Sequence, residues 1–87
     1  MKSRTTRRFR ERFADLPEPV RSQARRAYKL FQSNPAHPGL KLKKVDGMDD
    51  VYSVRVGLGY RALGNLNGDE IVWFWIEPHG EYDRLTS

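Results

Sequence analysis

The fold is decided by Tyr52-Ser53-Val54-Arg55-Val56-Gly57-Leu58-Gly59-Tyr60-Arg61-Ala62-Leu63, with the turn at Asn67-Gly68 and the run Ile71-Val72-Trp73-Phe74-Trp75-Ile76 that follow it. Runs rich in β-branched and aromatic residues, separated by glycine turns, are the signature of an antiparallel meander. The register of the first hairpin follows from how its side chains sort. A two-residue turn at Leu58-Gly59 would set Val56 opposite Arg61 and mix apolar and charged residues on both faces. A loop one residue longer sets Val56 opposite Tyr60 and Val54 opposite Ala62. Tyr52, Val54, Val56, Tyr60 and Ala62 then share an apolar face, and Ser53, Arg55, Arg61, Leu63 and Asn65 share the other. A register that buries charge and exposes apolar groups is penalised, so the second is expected.

That register makes Arg55 and Arg61 neighbours across the strand pair. Two adjacent guanidiniums repel unless an anion lies between them, which makes the pair a candidate phosphate site. The alternative is that each arginine finds an acid, with Glu77, Glu81 and Asp83 available. In the second hairpin a type I′ turn at Asn67-Gly68 would pair Trp73 with Ala62 and Trp75 with Tyr60. Both tryptophans would then fill the core. Val72, Phe74 and Ile76 would lie beside the arginines, placed to stack on bases or to meet a partner.

Working back from the sheet, two helices are expected. Phe9, Phe13 and Leu16 recur at helical spacing after Thr5 and Thr6, either of which can cap the first turn. Pro17 ends that helix. Glu18 and Pro19 open a second, expected over residues 18–33, with Val20, Ala24, Ala27, Tyr28 and Phe31 as its stripe and Asn34-Pro35 as its stop. The short connection forces an antiparallel helical hairpin whose stripes face one core. Leu40-Lys41-Leu42-Lys43-Lys44-Val45 alternates as a short strand, leucines inward and lysines outward. Residues 1–6 are polar, a frayed arm or a brief edge strand. The expected fold is α+β: an N-terminal helical hairpin on one face of a three- to four-stranded antiparallel sheet, in a single domain over residues 1–87.

Charge bears on partners. The chain of 87 residues carries a net charge of +5 and no cysteine, so packed side chains must hold it together. Residues 1–47 hold thirteen Lys or Arg against four acids, and residues 48–87 hold three against seven. A basic half points to a polyanion such as nucleic acid, though a solvated helix face carries the same pattern. No apolar run approaches the ~18 residues of a membrane span, and no signal-peptide pattern is present, so the expected location is the cytoplasm. His37 lies between prolines with no acid beside it and reads as a loop residue. No metal-ligand cluster is evident. His79, with Tyr82 three residues on and carboxylates around it, can supply a general acid or base, or serve structurally.

The order of these segments, with Tyr52-x-x-Arg55-x₄-Tyr60-Arg61 and His79-x-x-Tyr82-Asp83, resembles the RelE/ParE superfamily of type II toxin–antitoxin toxins from about Phe9 to Asp83. The resemblance implies a RelE-like fold and a ribosome-dependent mRNA interferase that cuts mRNA without a metal or other cofactor. The ParE-like branch implies a DNA gyrase inhibitor instead, and a non-catalytic nucleic-acid-binding module is the remaining alternative. Implied partners are a cognate antitoxin, the ribosome and its mRNA, and operator DNA only through the antitoxin complex. By position, Arg61 matches the arginine that holds the scissile phosphate. Arg55, Lys43 and Lys44 match RNA-contacting basic positions. His79 and Tyr82 fall where members keep acid/base residues, although no arginine stands between them here.

Overall fold

The computed structural model describes residues 2–57 and 59–78. The chain runs β1 (Lys2–Thr5), α1 (Arg7–Ala14), α2 (Glu18–Ser33), a 3₁₀ turn (Pro38–Leu40), β2 (Lys43–Lys44), β3 (Val51–Val56), β4 (Tyr60–Asn67) and β5 (Glu70–Pro78). The strands form one sheet in the order β1-β5-β4-β3-β2. The fold is α+β as expected, but the sheet has five strands rather than three or four, and β1 lies parallel to β5. The sequence of β1, Lys-Ser-Arg-Thr, has no apolar alternation because it forms an edge. Its anchor is a hydrogen bond donated by the Trp73 indole Nε1 to Ser3 Oγ at 2.9 Å.

The helices form where local chemistry allows. Thr6 caps α1, its hydroxyl accepting from the Phe9 amide at 3.1 Å. α1 stops at Ala14, ahead of Pro17, and Arg21 of α2 donates to the carbonyls of Leu16 at 2.7 Å and Ala14 at 3.3 Å. That guanidinium satisfies carbonyls at the end of α1 and ties the two helices together. α2 spans the expected residues, with proline in its first turn and no side-chain cap. Ala24, small and buried, is part of the core that α2 forms with β3. Phe31 meets Trp73 edge to face at 5.2 Å between ring centroids. With Leu40, Val54, Val56, Ala62, Ile71 and Ile76 they make the core, and Phe9, Phe13 and Leu16 of the first helical stripe pack against it.

The first hairpin has the register that side-chain sorting demands: Val54 opposite Ala62, Arg55 opposite Arg61, Val56 opposite Tyr60. Gly57 and Gly59 adopt positive φ in the connection, which glycine does without strain. The second hairpin departs from expectation. Asn67 pairs with Glu70, so the turn residues are Gly68 and Asp69. Of the two only Gly68 has positive φ, the pattern of a II′ rather than a I′ turn. Trp73 therefore lies opposite Gly64, not Ala62, a shift of two that keeps it on the helix-covered face. A bulge between Leu63 and Gly64 then inserts one residue and turns the rest of β5 over. Ile76, fully buried, takes the core position opposite Ala62, and Trp75 moves to the other face opposite Leu63. Of the Leu-Lys alternation only Lys43–Lys44 is strand, because Leu40 is held in the 3₁₀ turn, where it is buried.

Candidate nucleic-acid interface

On the face of the sheet away from the helices, pairing arranges side chains in rows. One row runs Arg55, Arg61, Glu77 across β3, β4 and β5. A second runs Lys43, Ser53, Leu63, Trp75 across β2 to β5. Directly opposed like charges are destabilising unless compensated. Here the compensation comes from the third strand: Glu77 Oε1 stands 3.5 Å from Arg61 Nε. Arg61 is buried, at 5% exposure, and Arg55 is exposed. Of the two sequence readings of the pair, the acid partner is found for Arg61, while Arg55 stays open to solvent. Arg55 Nε points toward the Gly57 carbonyl at 3.4 Å, a long contact, and makes no ion pair among the described residues.

These rows border a cleft of about 310 Å³ lined by Lys41, Lys43, Ser53, Arg55, Tyr60 and Arg61, with Val54 and Gly59 completing the wall. Its charge is strongly positive. Lys43 pairs with buried Ser53 and so shares the cleft face. Lys44 pairs with Tyr52, on the other parity, and does not line the cleft. The fold therefore brings together Lys43, Arg55 and Arg61 but not Lys44. His79 and Tyr82 lie outside the described residues. Among the described residues no group of histidine, cysteine and carboxylate side chains is placed to hold a metal ion.

Lys41 reads from the sequence as one of the outward lysines of a short strand, open to a phosphate or protecting an edge, and it lines the cleft by another route. It follows the 3₁₀ turn in the left-handed conformation, φ 48°, and that conformation carries it to the cleft rather than along a strand. The only sequence signal of that route is the preceding Pro38-Gly39, which marks a turn without giving its exit direction. The 3₁₀ turn is itself capped by His37, whose Nδ1 accepts from the Gly39 amide at 3.0 Å. His37 thus has the local structural role expected of it.

Arg12, which helical spacing leaves open between a phosphate contact and a solvated helix face, has a specific place. Its Nε donates to the Ile76 carbonyl at 2.9 Å, and its guanidinium lies 3.9 Å from the Trp75 ring centroid. β1 ends opposite Trp73, so this carbonyl lies beyond the reach of its ladder. Arg12 supplies the missing donor and covers the aromatic face by a cation–π contact.

This architecture is that of the RelE-like toxins. The structure superposes on a chain of the RelB–RelE antitoxin–toxin complex from Methanococcus jannaschii with TM-score 0.74, 20% identity, and coverage of 95% of this chain and 98% of that one. The YoeB/ParE toxin from Agrobacterium tumefaciens gives TM-score 0.72 at 14% identity, covering 91% and 99%. A chain of the intact Escherichia coli RelBE toxin–antitoxin complex gives 0.69 at 18% identity, covering 88% and 94%. At these identities the likeness speaks for the fold. The sequence itself matches the ParE-like toxin domain over residues 18–84, and the chain belongs to that family within the RelE/ParE superfamily. Among curated proteins none matches it in sequence.

Proposed function

We propose that this toxin acts on RNA, as a ribosome-dependent mRNA interferase. The observation that carries this reading is the cationic cleft, in which Lys41, Lys43 and exposed Arg55 surround the buried Arg61–Glu77 pair. A strand of RNA presents a phosphate at every residue, and a site with several cations rewards that repetition. Within it Arg55 and the lysines take phosphates, and Arg61, held by Glu77, stabilises charge on the scissile one. Cleavage would proceed by attack of the 2′-oxygen on the adjacent phosphorus. The P–O5′ bond breaks, the 2′ proton passes to a base, and an acid protonates the departing 5′-oxygen. His79 and Tyr82 are the residues we assign to those proton transfers. The ribosome would supply positioning, which can account for much of the rate. The RelB-bound state of the M. jannaschii and E. coli relatives supports a cognate antitoxin for this chain. No described helix is long and apolar enough to cross a membrane. A cytoplasmic place of action is part of the same proposal.

The test is inducible expression in a bacterial host with primer extension on a reporter mRNA. Growth arrest with new 5′ ends inside translated codons, absent when translation is blocked, is the expected outcome. A second reading draws on the family match to ParE-like toxins, together with the burial of Arg61 against an acid. It is gyrase inhibition without RNA cleavage. Arrest with intact mRNA and loss of plasmid supercoiling would replace the first reading with this one.

A further inference from the structure

The cleft does not end at Arg55. The same residue borders a groove of about 230 Å³ between α2 and the β3–β4 connection, lined also by Gln23, Arg26, Ala27, Leu30 and Leu40. Its floor is apolar and its rim is polar. Gln23 packs so closely on the Gly57 backbone that a β-carbon there would collide with the Gln23 amide. The amide is thereby held at the rim, and glycine is required both for this approach and for its φ of 56°. Charge pairing on α2 is selective. Arg21 and Arg25 are both bound to Glu18, at 2.7 Å and 2.9 Å. Arg26, exposed at the groove, makes no ion pair among the described residues, and neither does Arg55.

An apolar floor with an amide at its edge and two unneutralised guanidiniums has the chemistry of one nucleotide: a flat base to cover apolar surface, and a phosphate for the cations. We propose that this groove is a second nucleotide subsite for single-stranded RNA. A base lies on the half-buried Ala27 and Leu30, with Leu40 buried beneath them, and Arg26 with Arg55 holds the phosphate that joins it to the strand in the sheet cleft. The proposal rests on the reading that the cleft holds RNA, and adds to it the path by which the strand leaves.

The test is fluorescence anisotropy of the full chain with labelled single-stranded oligouridylates, a trinucleotide and an octanucleotide, over a salt series. Arg26→Gln alters an exposed side chain, and Arg26→Lys keeps the charge. We expect Arg26→Gln to weaken octanucleotide binding about fourfold at about 0.15 M salt and to reduce the salt slope by about 0.7, the value for one phosphate contact on a single strand. The trinucleotide, satisfied by the cleft, is expected to bind Arg26→Gln as it binds the parent, and Arg26→Lys to recover most of the octanucleotide affinity. Arg55→Gln should weaken both oligonucleotides. Unchanged octanucleotide affinity in Arg26→Gln, with Arg55→Gln impaired, would overturn the groove and leave the cleft reading standing. Absence of salt-dependent binding to either oligonucleotide by the parent chain would overturn both.

Discussion

Arg61 and Arg55 face each other across two strands and differ in everything that decides the effect of a mutation. Arg61 is buried beside Glu77, and its removal strands a carboxylate whose side chain is only 16% exposed. Breaking such a pair from one side costs about 3 kcal/mol. Arg61→Ala is therefore expected to lower the thermal unfolding midpoint by several degrees as well as to abolish toxicity, so loss of activity in that variant alone assigns nothing. Arg55 is exposed with only a long contact to a backbone carbonyl. Arg55→Ala is expected to shift stability by no more than about 0.5 kcal/mol while weakening RNA binding and relieving growth arrest. Full toxicity of a soluble Arg55→Ala protein would remove the cleft from the mechanism. Alternation along the strands was enough to place both arginines on one face, because parity survives any error in loop detail short of one residue. Which of the two is buried was beyond it, since that depends on Glu77 arriving opposite Arg61, and the bulge in β5 sets that arrival.

At the scale of elements, the bulge between Leu63 and Gly64 decides how β5 divides its side chains between the faces. Periodicity puts Trp73 on the correct face, though two residues from its true partner, and fails for the face from Trp75 onward, because a bulge inserts a residue with no compositional mark beyond the glycine beside it. Gly64 is needed there for space. A β-carbon would lie 2.7 Å from Trp73 Cε3 and 2.8 Å from Ile71 Cγ1, both on buried side chains. Gly64→Ala is expected to destabilise by about 1–3 kcal/mol, read from denaturant midpoints, and an unchanged midpoint would mean that the sheet repacks freely. The helices were more legible, since prolines and caps announce their ends; what composition could not give is the use of Arg21 as a clamp between them. Its partner Glu18 carries a carboxyl held below its ordinary value, chiefly by the hydrogen bond from Arg21, with further help from the charges of Arg21 and Arg25. A carboxyl whose value is depressed by folding adds stability that is full above pH about 4.5, its ordinary value, and is lost as pH falls through the lower folded value. The acid limb of the thermal midpoint against pH should accordingly be shallower in Glu18→Gln than in the parent. Identical limbs would show that water replaces the clamp at no cost.

At the scale of the molecule, the chain closes its sheet by returning its first strand to its last. Residues 1–6 read equally as a frayed arm or a brief edge strand, because a polar parallel edge strand has no apolar signature. Its consequences nevertheless reach the core. Trp73 is 3% exposed, and Ser3 Oγ is the acceptor for its indole N–H. A buried donor without an acceptor costs about 1–3 kcal/mol, so Ser3→Ala is expected to destabilise by that amount, whereas Ser3→Thr, which keeps the hydroxyl, should not. Deleting residues 2–5 goes further. It bares the ladder of β5 from Glu70 to Trp73, and an unpaired edge with Ile71, Val72 and Trp73 along it is a template for strand addition. At the other edge β2 is two residues long and carries Lys43 and Lys44, which resist such pairing. The asymmetry predicts that the deletion variant self-associates through β5 and not through β2. Analytical ultracentrifugation should find the parent's size distribution concentration-independent and that of the variant shifting to larger species as concentration rises. Substituting Val72 with lysine in the deletion background should restore the parent's behaviour, because a charge on the newly exposed edge opposes pairing there. Self-association that persisted after that substitution would place the sticky surface elsewhere and leave β1 with a role confined to Trp73.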